Sequence, residues 1–133
     1  MSKIKTLEYT VFETGKKYRV RPVVMTYQDN GTLFVGLDCK RLGYYFGVTV
    51  NLDGSENLEP YCAAVRCCGI DESGVIPFLL ENDLAEPIPK FIQSGFNTYP
   101  VFKFNREVLS RYNPEGVAKY EAELMKKNGG SNE

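Results

Sequence analysis

The stretch Lys17-Tyr18-Arg19-Val20-Arg21-Pro22-Val23-Val24-Met25-Thr26-Tyr27-Gln28, followed by Asp29-Asn30-Gly31 and Thr32-Leu33-Phe34-Val35-Gly36-Leu37-Asp38-Cys39, carries the strongest local signal in the chain. Asn-Gly between two β-rich runs favours the positive φ values of a tight turn, so this is a hairpin. Its first strand alternates. Tyr18, Val20 and Pro22 share one side, and Lys17, Arg19 and Arg21 the other. Pro22 cannot donate to a ladder, which places it at an edge or a bulge.

Outward from the hairpin the pattern repeats. Residues 7–13 alternate as a strand and reach the hairpin through a turn at Thr14-Gly15-Lys16. On the other side, Arg41-Leu42-Gly43 turns the chain into a strand over residues 44–52. A polar loop at 53–57 leads to Tyr61–Cys67, apolar enough to be a central strand. Consecutive strands with short connections make an antiparallel meander.

The periodicity then changes. Residues 75–84, with Pro77 in the first turn, have near-helical apolar spacing, and Pro87-Ile88-Pro89 ends that helix. Ser94-Gly95 is a turn and Tyr99–Asn105 a strand. Asn105 caps a helix over 106–112. Asn113-Pro114 starts another through about Lys127, leaving 128–133 as a disordered tail. The expectation is a single α+β domain over residues 1–127. It has a twisted antiparallel sheet of five to six strands, a short helix after the fifth strand, and a C-terminal helix packed on the sheet.

With 133 residues the chain is one domain long and needs neither disulfide nor metal to bury a core. It has no His, so general-base chemistry falls to carboxylates, Lys, Tyr or Cys. Neither a phosphate-binding glycine loop nor a GxSxG elbow occurs. The expectation is a non-enzyme without cofactor. Cys39, Cys62, Cys67 and Cys68 include no CxxC pair, and no His completes a zinc set. They read as reduced small hydrophobes, with one of the adjacent pair Cys67 and Cys68 exposed. The N-terminus is polar and no run approaches about 18 apolar residues, so a cytoplasmic protein without membrane contact is expected.

The balance of 16 basic and 17 acidic residues argues against a strongly basic nucleic-acid module. A stripe of Lys17, Arg19 and Arg21 on one strand face is the alternative nucleic-acid surface, against the plain reading of a solvated, aggregation-resistant strand. The carboxylates collect in loops: Asp53, Glu56 and Glu59, Asp71 and Glu72, Glu81, Asp83 and Glu86. Brought together they would form a negative patch that meets a basic protein surface and mimics phosphates. The plain reading is solubilising charge.

Two stretches carry a resemblance: Val48-Thr49-Val50-Asn51-Leu52, and Phe78–Leu84 followed by Ser94-Gly95-Phe96-Asn97-Thr98-Tyr99-Pro100-Val101-Phe102-Lys103-Phe104-Asn105. Over about residues 32–112 the chain resembles a small family of uncharacterised proteins carried by conjugative elements and phages of gut bacteria. It departs from that family at Cys67-Cys68-Gly69-Ile70, where an Asp-Thr-Asn-Asn-like turn stands. The resemblance implies an anti-defence role: an anti-CRISPR protein that inhibits a Cas nuclease, foremost type II Cas9, by direct binding. The acidic loops would then be the partner surface. A homodimeric scaffold or regulator of a mobile element is the rival reading. Within Ser94–Tyr99, the structural expectation is that Gly95 makes a turn and Phe96 plugs the core, with partner contact as the alternative.

Overall fold

The computed structural model describes residues 6–11, 14–27, 31–39, 44–52, 54–55, 58–66 and 74–131, with backbone alone at 44–46 and 127–131. The class is α+β. Among the described residues there are eight strands, divided between two four-stranded antiparallel sheets. The first holds β1 (Leu7–Thr10), β2 (Lys17–Thr26), β3 (Leu33–Cys39) and β4 (Tyr44–Gly47), in that order. The second holds β5 (Thr49–Val50), β6 (Cys62–Val65), β7 (Ala85–Ser94) and β8 (Asn97–Phe104), in the order β5-β6-β8-β7. Three helices complete the fold: α1 (Val75–Glu81), α2 (Arg106–Tyr112) and α3 (Pro114–Ser131). No helix among the described residues is long and apolar enough to cross a membrane.

The β2–β3 hairpin forms as its alternation demands. Val20, Pro22 and Val24 are buried on β2, and Leu33, Val35, Leu37 and Cys39 on β3. Pro22 apart, they belong to one core with Leu109, Val117 and Tyr120 of α2 and α3. β1 pairs with β2 only as far as Val20, so beyond it β2 has one strand neighbour. That free edge is closed by the start of α3. The Val24 N–H donates to Asn113 Oδ1 at 2.8 Å. Residue 22 directs its nitrogen the same way, two positions earlier, so Pro22 sits where a missing N–H costs nothing. Gly116 lets α3 come this close: a Cβ there would lie 2.2 Å from the Val24 carbonyl oxygen.

The strand expected over 44–52 is two strands in different sheets. Val48 is the crossing point. Its N–H donates to the Val35 carbonyl on β3, and its own carbonyl accepts from Arg66 N–H beyond β6, each at 2.8 Å. Thr49 is fully buried at the seam, where its hydroxyl accepts the Val35 N–H at 3.1 Å and lies 3.3 Å from the Tyr27 hydroxyl. The apolar alternation Val48, Val50, Leu52 runs on through the break in sequence, whereas the structure buries the adjacent Val48 and Thr49 alike.

α1 stops at Glu81, short of the expected 84. Asp83 adopts φ 55°, Leu84 N–H donates to Leu79 O at 2.9 Å, and Asp83 N–H donates to Leu80 O at 3.3 Å. This pairing closes the helix as a Schellman motif, with Asp in the position glycine usually takes. The following residues, expected only to end the helix, form β7. This is an edge strand with an irregularity between Pro87 and Phe91, where prolines are tolerated. α2 matches its expected span, and the Asn105 side chain caps it by accepting from Glu107 and Val108 N–H. α3 continues through Ser131, past the expected stop near Lys127, so 128–131 are helical and not tail.

Candidate functional site

Tyr61 is the one aromatic residue among those described with positive φ, at 68°. A bulky side chain in that region is a backbone outlier that persists only where its surroundings enforce it. Three hydrogen bonds do so. Tyr61 N–H donates to the Tyr120 hydroxyl at 3.0 Å, and the Tyr61 carbonyl accepts from Phe104 N–H at 2.8 Å. The Tyr61 hydroxyl donates to Glu121 Oε2 at 2.6 Å. The Tyr61 and Tyr120 rings meet edge to face at 5.0 Å. Arg106, at the start of α2, grips Glu121 with both arms: Nε to Oε2, and Nη2 to Oε1 at 3.2 Å.

These contacts fix the charge states. Burial, then the hydrogen bond to Glu121, push the Tyr61 hydroxyl far above its ordinary range, so it is a permanent donor. Arg106 first, and Tyr61 second, hold the Glu121 carboxyl below its ordinary value. The Arg106 guanidinium is raised in turn. Near neutral pH none of the three gains or loses a proton. Together the three side chains form an electrostatic post beside the left-handed Tyr61 backbone.

The post stands at the edge of an open cleft of about 650 Å³ between β8, the start of β7, and α2. Tyr61, Asp83, Glu86, Lys103, Asn105, Arg106 and Arg111 supply its polar lining. Ala85, Phe104 and Val108 supply apolar surface. Glu86 lies directly opposite Lys103 in the β7–β8 register. The cleft presents both signs of charge. Its lining includes no Cys, Ser or Thr nucleophile, and among the described residues no cluster of His, Cys, Asp or Glu gathers as metal ligands.

Of the acidic residues singled out from the sequence, Asp83 and Glu86 meet in this cleft. They share it with three cations, so it is not purely negative. Glu81 is the exposed last residue of α1. Glu59 lies elsewhere, beside Cys62 and Leu58. None of these four forms an ion pair among the described residues. Asp53, Glu56, Asp71 and Glu72 lie outside the described residues, as do Cys67 and Cys68. Cys39 and Cys62 are buried free thiols, and burial pushes Cys62 up.

The basic strand face is locally engaged. Lys17 sits 3.9 Å from Glu8, and Arg21 sits 3.9 Å from Asp38. Arg19 donates to the Thr6 hydroxyl at 2.8 Å. Each of the three cations already has a partner on a neighbouring strand or at its lead-in, which weakens the stripe as a phosphate track.

Sequence reasoning missed Tyr61, Arg106 and Glu121. No residue pattern announces a left-handed Tyr, and Arg106 and Glu121 meet only when α2 and α3 pack. It also misplaced Phe96, expected as a core plug. That ring stands wholly in solvent at a hairpin tip.

No curated protein and no solved structure matches the chain. The DUF4313 family, a domain of unknown function, matches residues 23–124, from the second half of β2 into α3. With most of its length inside that match, the chain belongs to the DUF4313 family.

Proposed function

We propose that this protein is a non-enzymatic, protein-binding anti-defence factor of a mobile element, which inhibits a CRISPR-associated nuclease, foremost type II Cas9, by direct contact at the cleft. The observation that carries the reading is the Tyr61 post. Backbone strain enforced by three hydrogen bonds is kept where a shape must be held, and here it flanks an open, mixed-charge cleft. Groups locked in one charge state suit recognition better than turnover. Exposed Asp83 and Glu86, without ion pairs among the described residues, are free to meet cations on a partner, while Lys103 and Arg111 fix its orientation. The resemblance to proteins of conjugative elements and phages supplies the partner class.

The test is in-vitro DNA cleavage by guide-loaded Cas9 with the purified protein added. Inhibition is expected at micromolar concentration, and Asp83→Lys with Glu86→Lys is expected to weaken it by about tenfold or more. Full cleavage at micromolar wild-type protein overturns the reading.

A further inference from the structure

Two residues among those described hold positive φ without being glycine, Tyr61 and Asp83, and both line the cleft. Backbone strain gathered in one place points to function there. Four of the cleft's charges stand uncompensated. The side chains of Asp83, Glu86, Lys103 and Arg111 are exposed and make no ion pair or hydrogen bond among the described residues. The fifth charge is different. Strand pairing runs from Glu86↔Lys103 through Ala85↔Phe104, and the Asn105 N–H donates to the Leu84 carbonyl at 2.8 Å. The same register brings Asp83 alongside Arg106. A guanidinium beside a carboxylate pairs with it by default. Here it does not. Glu121 of α3 accepts from both Arg106 Nε and Nη2, and no ion pair joins Arg106 to Asp83. Glu121 is itself fixed by the Tyr61 hydroxyl, which donates to its Oε2 at 2.6 Å.

We infer that Glu121 is the positioning residue of the cleft: by drawing Arg106 back, it leaves the Asp83 carboxylate open to a guanidinium or ammonium of a partner segment. This rests on the reading of the cleft as the partner surface. Glu121 acts through Arg106 and needs no contact with the partner. With Arg106 withdrawn, the free groups are two carboxylates, Asp83 and Glu86, and two cations, Lys103 and Arg111. The segment that compensates them carries a basic and an acidic side chain. A purely basic segment would leave Lys103 and Arg111 unanswered, and a purely acidic one Asp83 and Glu86, so the pattern also rejects wrong occupants. Asp83 and Glu86 are separated along the chain by roughly 10 Å of extended backbone. A segment lying along the start of β7 therefore matches the cleft when its two charged side chains are about three residues apart. Without Glu121 the freed Arg106 would neutralise Asp83 and set a third cation against the incoming one.

NMR titration of the whole protein with the blocked peptide acetyl-Arg-Gly-Gly-Glu-amide tests this without any nuclease. At millimolar peptide, amide shifts are expected at residues 83–86 and 103–111, and none with acetyl-Gln-Gly-Gly-Gln-amide. Glu121→Gln keeps an oxygen to accept the Tyr61 hydroxyl but loses the charge that holds Arg106. It is expected to weaken peptide binding about threefold to tenfold. Adding Arg106→Gln to Glu121→Gln is expected to restore the wild-type affinity, which the loss of a merely structural contact would not. No wild-type shift in the cleft, equal shifts with the neutral peptide, an unchanged affinity in Glu121→Gln, or a double substitution as weak as the single one overturns the inference. Peptide binding in the cleft without inhibition of Cas9 removes the nuclease as partner and leaves this inference standing.

Discussion

Replacing Gly116 with Ala sets two effects of opposite sign against each other. Gly116 is helical, in the first turns of α3, and Ala is the better helix former by roughly 0.8–1.0 kcal/mol. Propensity alone therefore predicts a stabilised protein. The packing predicts the reverse. The added Cβ would lie 2.2 Å from the Val24 carbonyl oxygen and 2.1 Å from Asn113 Oδ1. The first is backbone of a central sheet, and the second is the acceptor that caps the Val24 N–H. Neither can retreat without moving α3 off β2. Overpacking of this kind costs about 1–3 kcal/mol. Leaving the part-buried Val24 donor unpaired costs about 1–3 more. After subtracting the helical gain, the net loss is about 1–5 kcal/mol. At about 4 °C per kcal/mol for a domain of this length, Tm falls by roughly 4–20 °C. Urea titration with fluorescence and circular dichroism reads this directly, with the m-value unchanged. Asn113→Ala removes the acceptor without the clash. The double substitution should lose less than the sum of the two, because both act on the same contact. A Gly116→Ala protein as stable as wild type, or more so, would mean that α3 does not press this closely on β2.

Thr49→Val, nearly the same shape, strands the buried Val35 N–H and should cost about 1–3 kcal/mol in urea unfolding, whereas an unchanged midpoint contradicts the hydrogen bond assigned there. Glu121 is held below its ordinary pKa, so its contribution is present above about pH 4.3 and is lost as pH falls through the lower folded value. Stability of Glu121→Gln between pH 5 and 3 should accordingly fall less steeply than that of wild type; parallel curves would disprove the link to Arg106. Tyr61 is raised, so its contribution is present below about pH 10 and declines as pH climbs beyond it. Tyr61→Phe should flatten the alkaline limb of the stability profile, and an unchanged limb would count against the Tyr61–Glu121 hydrogen bond.

Much of this fold is written in local chemistry. The β2–β3 hairpin follows from alternation, and α2 and α3 follow from Asn105 and from Asn113-Pro114, because caps and turns act over a few residues. What resists reading is set by distant partners. The break at Val48 exists because Val35 and Arg66 claim its two backbone groups. β7 is hidden by Pro87 and Pro89, which argue against a strand unless its place at the sheet edge is known. Asp83 ends α1 in a role usually marked by glycine. The site shares this limit. Asp83 and Glu86 were visible as charged candidates, but the cations beside them come from β8 and α2. Likewise, Phe96 carries the composition of a core residue and the location of a turn.

If the cleft between β8, β7 and α2 is the surface offered to a protein partner, hydrogen–deuterium exchange of the chain, free and with guide-loaded Cas9, will reveal it. Slowed exchange is expected only at residues 83–86 and 103–111, which border the cleft. Absence of binding, or protection centred on the basic strand 17–21 with the cleft unaffected, would contradict it.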